Sequence, residues 1–167
     1  MSIVLFVLLA IAQAEENLTQ WAQGEFVCEE TVEEINQRRG RALEKTLAAS
    51  NFLIRTVIDG KMEGKPDVCR RYQIQSNEDI MTVTCDDKPT VDIRLDGNPT
   101  IYPKPDNGTF GVVADVRGTI ITQDFQGENG SIRVIYEFSA GRLLVTKIIS
   151  SEYFGAPLRV DVAYHQK

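Results

Sequence analysis

From residue 68 to residue 164 the chain repeats one unit about eight times: a short run alternating apolar and polar residues, closed by Gly, Asn, Asp or Pro. Alternation of period two sends successive side chains to opposite faces of a strand, so each run can cover a core with one face and meet water with the other. The breaks are residues that accept positive φ or initiate turns: Asn77-Glu78, Asp96-Gly97-Asn98-Pro99, Arg117-Gly118, Gly127-Glu128-Asn129-Gly130 and Ala140-Gly141. Such short reversals pair sequence neighbours antiparallel. The predicted strands are 68–74, 80–85, 91–95, 109–116, 119–125, 131–138, 143–150 and 158–164. The one long connection, residues 97–107 with three prolines, is expected to cross an end of the assembly. The fold class that follows is mainly β with an N-terminal helical segment: an antiparallel up-and-down meander of about eight strands forming a barrel or half-barrel, the helix packed against it.

Upstream, Trp21, Phe26 and Val27 anchor a short first strand or lead-in over residues 21–28. Thr31 and Glu34 then form a capping box, in which each side chain can accept from the other residue's backbone N–H. A helix is predicted from there to about Ile58, with Asp59-Gly60 as its stop and Ile35, Ala42, Leu43, Leu47 and Ile54 as its apolar stripe. Gly40 and Ser50-Asn51 are weak points where it can kink or divide. Residues 3–11 are continuously apolar and Ala12-Gln13-Ala14 is a small-x-small cleavage pattern. The run is shorter than the roughly 20 residues of a membrane span, and it reads as a secretory signal over residues 1–14. No Lys or Arg precedes it, a departure from the usual signal. The organisation expected is thus a signal at 1–14, a strand and helical segment at 15–66, and a barrel at 67–167 forming one globular unit with the helix. The location expected is secreted or periplasmic, with no membrane integration once the signal is removed.

The chain carries 18 basic and 24 acidic residues, a net charge of −6. Such a surface repels phosphate backbones and anionic membranes, so nucleic acid is not an expected partner. The basic group Arg38-Arg39-Gly40-Arg41 reads as a solvated face balancing Glu29, Glu30, Glu33 and Glu34. His165, the single histidine, stands near the end of the sequence, so a Ser-His-Asp or Cys-His arrangement has little to build on. No Cys/His pair has metal-ligand spacing, and no Gly-rich phosphate loop is present. Asp86-Asp87 read as a solvated turn. No catalytic residue, cofactor or metal is therefore expected. Asn17-Leu18-Thr19, Asn107-Gly108-Thr109 and Asn129-Gly130-Ser131 match the glycosylation acceptor pattern, although Asn-Gly is also what a tight turn requires.

Three cysteines allow one disulfide in an exported chain and leave one thiol. A hairpin turning at Asn77-Glu78 pairs Ile74 with Met81 and Tyr72 with Val83. That register sets Cys85 opposite Arg70 and sends Cys69 to the other face, so a Cys69–Cys85 bridge requires a one-residue slip. The pairing favoured is then Cys28 with Cys69, leaving Cys85 a buried thiol; in a reducing compartment all three stay free.

The run Val91-Asp92-Ile93-Arg94-Leu95-Asp96-Gly97, the segment Phe138-Ser139-Ala140-Gly141-Arg142-Leu143-Leu144-Val145 and the terminal Val162-Ala163-Tyr164 resemble the lipocalin-like, calycin-type domains of exported bacterial proteins. The resemblance covers about residues 65–167. It departs from the lipocalin pattern at Trp21, which precedes Gly24 where Gly-x-Trp is the family order. It implies a β-barrel and an apolar cavity, and carries over no catalytic residue. The lining expected for a small apolar ligand is Tyr72, Val83, Ile93, Phe110, Val112, Tyr136, Phe138 and Ile148. Equally open is that these residues are ordinary core. The barrel would then be a filled structural or interaction domain with a protein partner.

Overall fold

The computed structural model describes residues 18, 20–48, 68–103 and 108–167. The predicted signal at 1–14, the continuation of the helix beyond residue 48, and acceptor residues Asn17, Thr19 and Asn107 lie outside them. Among the described residues there are eleven strands: β1 (Gly24–Cys28), β2 (Arg71–Ser76), β3 (Ile80–Cys85), β4 (Val91–Arg94), β5 (Thr100–Pro103), β6 (Thr109–Val112), β7 (Ala114–Arg117), β8 (Ile120–Gly127), β9 (Gly130–Ser139), β10 (Arg142–Ser151) and β11 (Leu158–Gln166), with the helix α1 (Val32–Leu47) between the first two.

Nine strands form one antiparallel sheet in the order β4-β3-β2-β1-β11-β10-β9-β8-β7, and β5 pairs with β6 as a separate hairpin. Two up-and-down meanders thus meet where β1 lies between β2 and β11, and the sheet curls into a nearly closed barrel. The expected meander of mainly short-turn hairpins is present, with two differences. The predicted 109–116 strand divides at exposed Val113, where the chain leaves the hairpin and enters the barrel as β7. The long connection holds a strand of its own, β5, which the three prolines hid; Pro103 lies at the strand's end, where proline is tolerated.

Turn chemistry sets the geometry locally. Gly118 and Gly141, at φ +60° and +69°, occupy the left-handed region in the β7–β8 and β9–β10 turns. Gly130 is required for a different reason: a Cβ there would stand 2.2 Å from the Ser150 carbonyl oxygen.

The β2–β3 hairpin turns one residue later than expected. Asn77 accepts at Oδ1 from the N–H groups of Asp79 (3.0 Å) and Ile80 (2.8 Å), so the tight turn is Glu78-Asp79. The register becomes Tyr72↔Cys85, Ile74↔Val83 and Ser76↔Met81, shifted by two residues. A shift of two preserves the inward set, but it moves Cys85 from opposite Arg70 to opposite Tyr72. Cys69 precedes the ladder and escapes its alternation. The Asp86 carboxylate accepts from the N–H of Arg70 (3.0 Å) and Arg71 (2.8 Å), and Asp86 itself turns the chain at φ +51°. Cys69 is thereby brought inward, and the disulfide is Cys69–Cys85, with Cα atoms 5.3 Å apart. The favoured Cys28–Cys69 pairing is corrected: Cys28 is the free, half-buried thiol.

The capping box forms as expected, with Thr31 N–H donating to the Glu34 carboxylate (2.8 Å) and Glu34 N–H donating to Thr31 Oγ1 (3.3 Å). Of the apolar stripe, Ile35 and Leu47 are buried and Ala42 and Leu43 half-buried. Arg38 does more than balance charge: its guanidinium donates to the Glu30 carboxylate and to the Asp161 carbonyl of β11, tying α1 to the sheet.

Candidate functional site

Alternation places one face of every barrel strand inside, and the inward residues differ between its two ends. At one end Phe26, Ile74, Met81, Ile121, Phe138 and Leu143 are each at most 1% exposed, and Phe26 meets Phe138 edge-on with ring centroids 6.0 Å apart. Burying each such side chain stabilises by about 1.5–3 kcal/mol relative to exposure.

At the other end the same strands border a cavity of about 240 Å³ that is partly open to solvent. Tyr72 of β2, Val83 of β3 and Val91 and Ile93 of β4 form one wall. Phe125 of β8, Val134 and Tyr136 of β9 and Lys147 of β10 form the other. The Cys69–Cys85 disulfide borders it, and exposed Lys88 and Pro89 stand at its rim. The β5–β6 hairpin crosses the gap between β4 and β7 and contributes Tyr102. An aromatic trio pins the hairpin: Tyr102 stacks on Phe110 at 5.7 Å, and both meet Phe125 edge-on at 5.1 and 6.2 Å.

The polar residues Gln123 and Lys147 belong to the inward phase beside this cavity. Gln123 is 1% exposed, between Ile121 and Phe125 in the β8 alternation. Its Oε1 accepts from the Tyr102 hydroxyl at 3.1 Å, while its Nε2 is buried with no hydrogen-bond partner. Leaving such a donor unmade costs about 1–3 kcal/mol. Lys147 lies in the inward phase of β10, and the register aligns Ala114, Gln123, Val134, Lys147 and Val160 in one row across five strands. At the inter-strand spacing, Gln123 and Lys147 start about 10 Å apart on one face, with Val134 between them. Burial raises the Tyr102 phenol above its ordinary pKa, partly offset by the bond to Gln123, so it remains a hydroxyl donor at neutral pH. Burial, with Tyr102 close by, also raises Tyr136 strongly.

Of the eight residues expected to line the barrel, Tyr72, Val83, Ile93 and Tyr136 line this cavity. Phe138 belongs to the packed end, Phe110 supports the hairpin, and Val112 is buried on β6. Ile148 is in the opposite phase of β10, paired with Arg133 and Arg159. Gln123, Phe125, Lys147 and Tyr102 were not anticipated. The first three carry a readable signal, since they occupy the inward phase of strands whose other inward residues are apolar; Tyr102 lay in a segment read as loop.

A second cavity, about 140 Å³, lies between Val32, Ile35 and Asn36 of α1 and the Val68, Arg70 and Asp86 side chains. Among the described residues no three His, Cys, Asp or Glu side chains converge as a metal site, and no helix is long and apolar enough to cross a membrane. No protein-family model matches the chain, and no curated protein matches it in sequence. Among solved structures, the chain is similar to the zebrafish ileal bile acid-binding protein complexed with cholic acid, with a TM-score of 0.49 and 16% identity over 87% of this chain and 98% of that one.

Proposed function

We propose that this protein is a non-catalytic, lipocalin-like binding protein whose barrel holds one small, largely apolar molecule. The observation that carries the reading is the contrast inside one barrel: a cavity of about 240 Å³ lies beside an end whose described inward side chains are almost fully buried. An apolar cavity of about 150 Å³ suffices for benzene, so this one accommodates a compact molecule somewhat larger than a single ring. Its aromatic and aliphatic walls suit an apolar body, and the polar groups are few, as is usual of ligand sites. An exported location fits the same reading, supported by the signal-like residues 1–14 and by the Cys69–Cys85 disulfide, which persists in oxidising compartments.

The test is calorimetric titration of the purified protein with a panel of small aromatics, beside a Val134→Trp variant that fills the cavity. One-to-one binding by the natural chain, lost in the variant while its circular dichroism is retained, supports the proposal. Absence of binding across the panel, or binding that survives Val134→Trp, sinks it and favours an interaction domain. N-terminal sequencing of the exported product tests the location: a mature chain starting at Glu15 is expected.

A further inference from the structure

Three cysteines share one corner of the barrel, and strand order sets them in sequence across it. Cys28 ends β1, Cys69 stands just before β2 and Cys85 ends β3, and these strands are neighbours in the order β3-β2-β1. Phe26, Tyr72 and Cys85 form one inward row, so Cys28, two residues beyond Phe26, is in the inward phase too. All three cysteines pack on the same buried cluster. The Cys28 N–H donates to the Arg70 carbonyl at 2.9 Å, which continues the β1–β2 ladder by one pair. Partners in such a bonded pair have Cα atoms about 5.5 Å apart, and one step along the chain Cys69 comes within about 7 Å of Cys28, the outer reach of a disulfide. Cys85, two strands from β1, is about 10 Å away and beyond that reach. Cys69 is the anchored member: the Tyr164 hydroxyl donates to its carbonyl at 3.0 Å, and the Asp86 carboxylate holds the next N–H, that of Arg70. The Cys28 thiol donates to the Glu30 carbonyl at 3.4 Å, a weak S–H bond that a turn about χ1 releases.

We propose that Cys28 exchanges with the Cys69–Cys85 disulfide, a switch that moves the covalent tie from the cavity's border to β1. The Cys28 thiolate attacks Cys69 Sγ from the β1 side; the Cys28–Cys69 bond forms, the Cys69–Cys85 bond breaks, and the electron pair leaves on Cys85 Sγ toward β3. The Cys85 thiolate then takes up the proton that Cys28 lost. One thiol and one disulfide stand on each side of this step, so it consumes no oxidant or reductant. Cys69 and Cys85 both border the main cavity, with Lys88 and Pro89 at the rim just beyond Cys85, whereas Cys28 is not among the lining residues. After exchange Cys85 and the turn that follows it lose their tie to Cys69, and that part of the rim loosens. The exchange does not depend on what the cavity holds.

The experiment incubates the natural chain without added thiol at mildly alkaline pH, which favours the attacking thiolate. A limiting maleimide is added slowly, so that exchange outruns labelling, and samples are quenched in acid and mapped by non-reducing digestion and mass spectrometry. At the start the map should show Cys69–Cys85; with time, label on Cys85 and a Cys28–Cys69 linkage should appear together. Label confined to Cys28 throughout overturns the switch. A Cys28–Cys85 linkage with label on Cys69 overturns it too, since it marks shuffling through the unfolded chain. In a glutathione redox buffer Cys85→Ser should form Cys28–Cys69 with its circular dichroism retained, whereas Cys69→Ser should leave Cys28 and Cys85 unlinked; the reverse result in either variant overturns the arrangement. The amide hydrogens of Asp86 and Lys88, which donate to the Arg71 and Cys85 carbonyls, should exchange faster in the bridged Cys85→Ser protein than in the natural chain. Equal rates overturn the loosening of the rim.

Discussion

The two ends of the barrel are built from the same strands with the same alternation, yet the described inward side chains of one are almost fully buried and those of the other border a cavity. On β2 the inward residues are Ile74 at the packed end and Tyr72 at the cavity; on β8 they are Ile121 and Gln123; on β10, Leu143 and Lys147. The packed end uses branched and aromatic hydrocarbons that interdigitate. The hollow end uses tyrosines, whose rings stand at the wall with a polar tip, and two side chains whose polar groups resist close packing. A period-two pattern therefore says that a residue faces inward, while its size and polarity say whether the inside is full.

The comparison can be broken most directly at Phe138. Phe138→Ala should cost about 3–5 kcal/mol in denaturant unfolding, because the packed end cannot collapse around the loss. Val134→Ala at the cavity wall should cost no more than about 1 kcal/mol. Equal losses at the two sites would mean that the ends do not differ as described. Next in size is the disulfide at the cavity's edge. Replacing Cys69 and Cys85 together by Ser opens a loop of sequence separation 16 and should cost about 3 kcal/mol, read as a lower urea midpoint, whereas Cys28→Ser should change little. A non-reducing peptide map of the freshly acid-quenched protein linking Cys28 to Cys69 would reject that assignment.

A smaller effect should have the opposite sign. In the ligand-free protein the double change Gln123→Leu with Tyr102→Phe removes an orphan donor and the hydroxyl that holds its amide, and should raise stability by about 1 kcal/mol. Destabilisation would show that the Gln123–Tyr102 pair supports the fold. The last test is of pH. Burial raises Tyr136, and raises Tyr164, whose hydroxyl donates to the Cys69 carbonyl at 3.0 Å. In the unfolded chain these phenols ionise near pH ~10, so their contribution is fully present below that value and is lost as pH rises above it. Phenolate absorbance from these two should rise together with unfolding, and ionisation without unfolding would contradict their burial.

Much of the fold was legible because it depends on local chemistry. Alternation and Gly or Asn turns marked β3, β8, β9, β10 and β11 closely, and the Thr31–Glu34 box marked the start of α1. Where reading failed, a nonlocal contact or a side chain acting on backbone decided. The Asn77 side chain moved a turn by one residue, and the Asp86 carboxylate bent Cys69 out of its strand. β5 exists by pairing with β6 and by the packing of Tyr102, stacked on Phe110 and edge-on to Phe125, none of which its proline-bearing sequence announces. Of the eight residues expected to line the barrel, Tyr72, Val83, Ile93 and Tyr136 border the cavity, because inward phase is readable strand by strand. Ile148 shows the limit, since one step of phase on β10 exchanges it for Lys147.

What was decided within the linear chain is the period-two pattern, the turn residues and the helix cap, all of which act over a few bonds. That β1 closes the two meanders, that a hairpin spans the open seam, and that Gln123, Val134 and Lys147 share a row were decided only when strands distant in sequence met. A void has no local cause: it is volume that the inward side chains of several strands jointly fail to occupy, and so it exists only in the folded barrel.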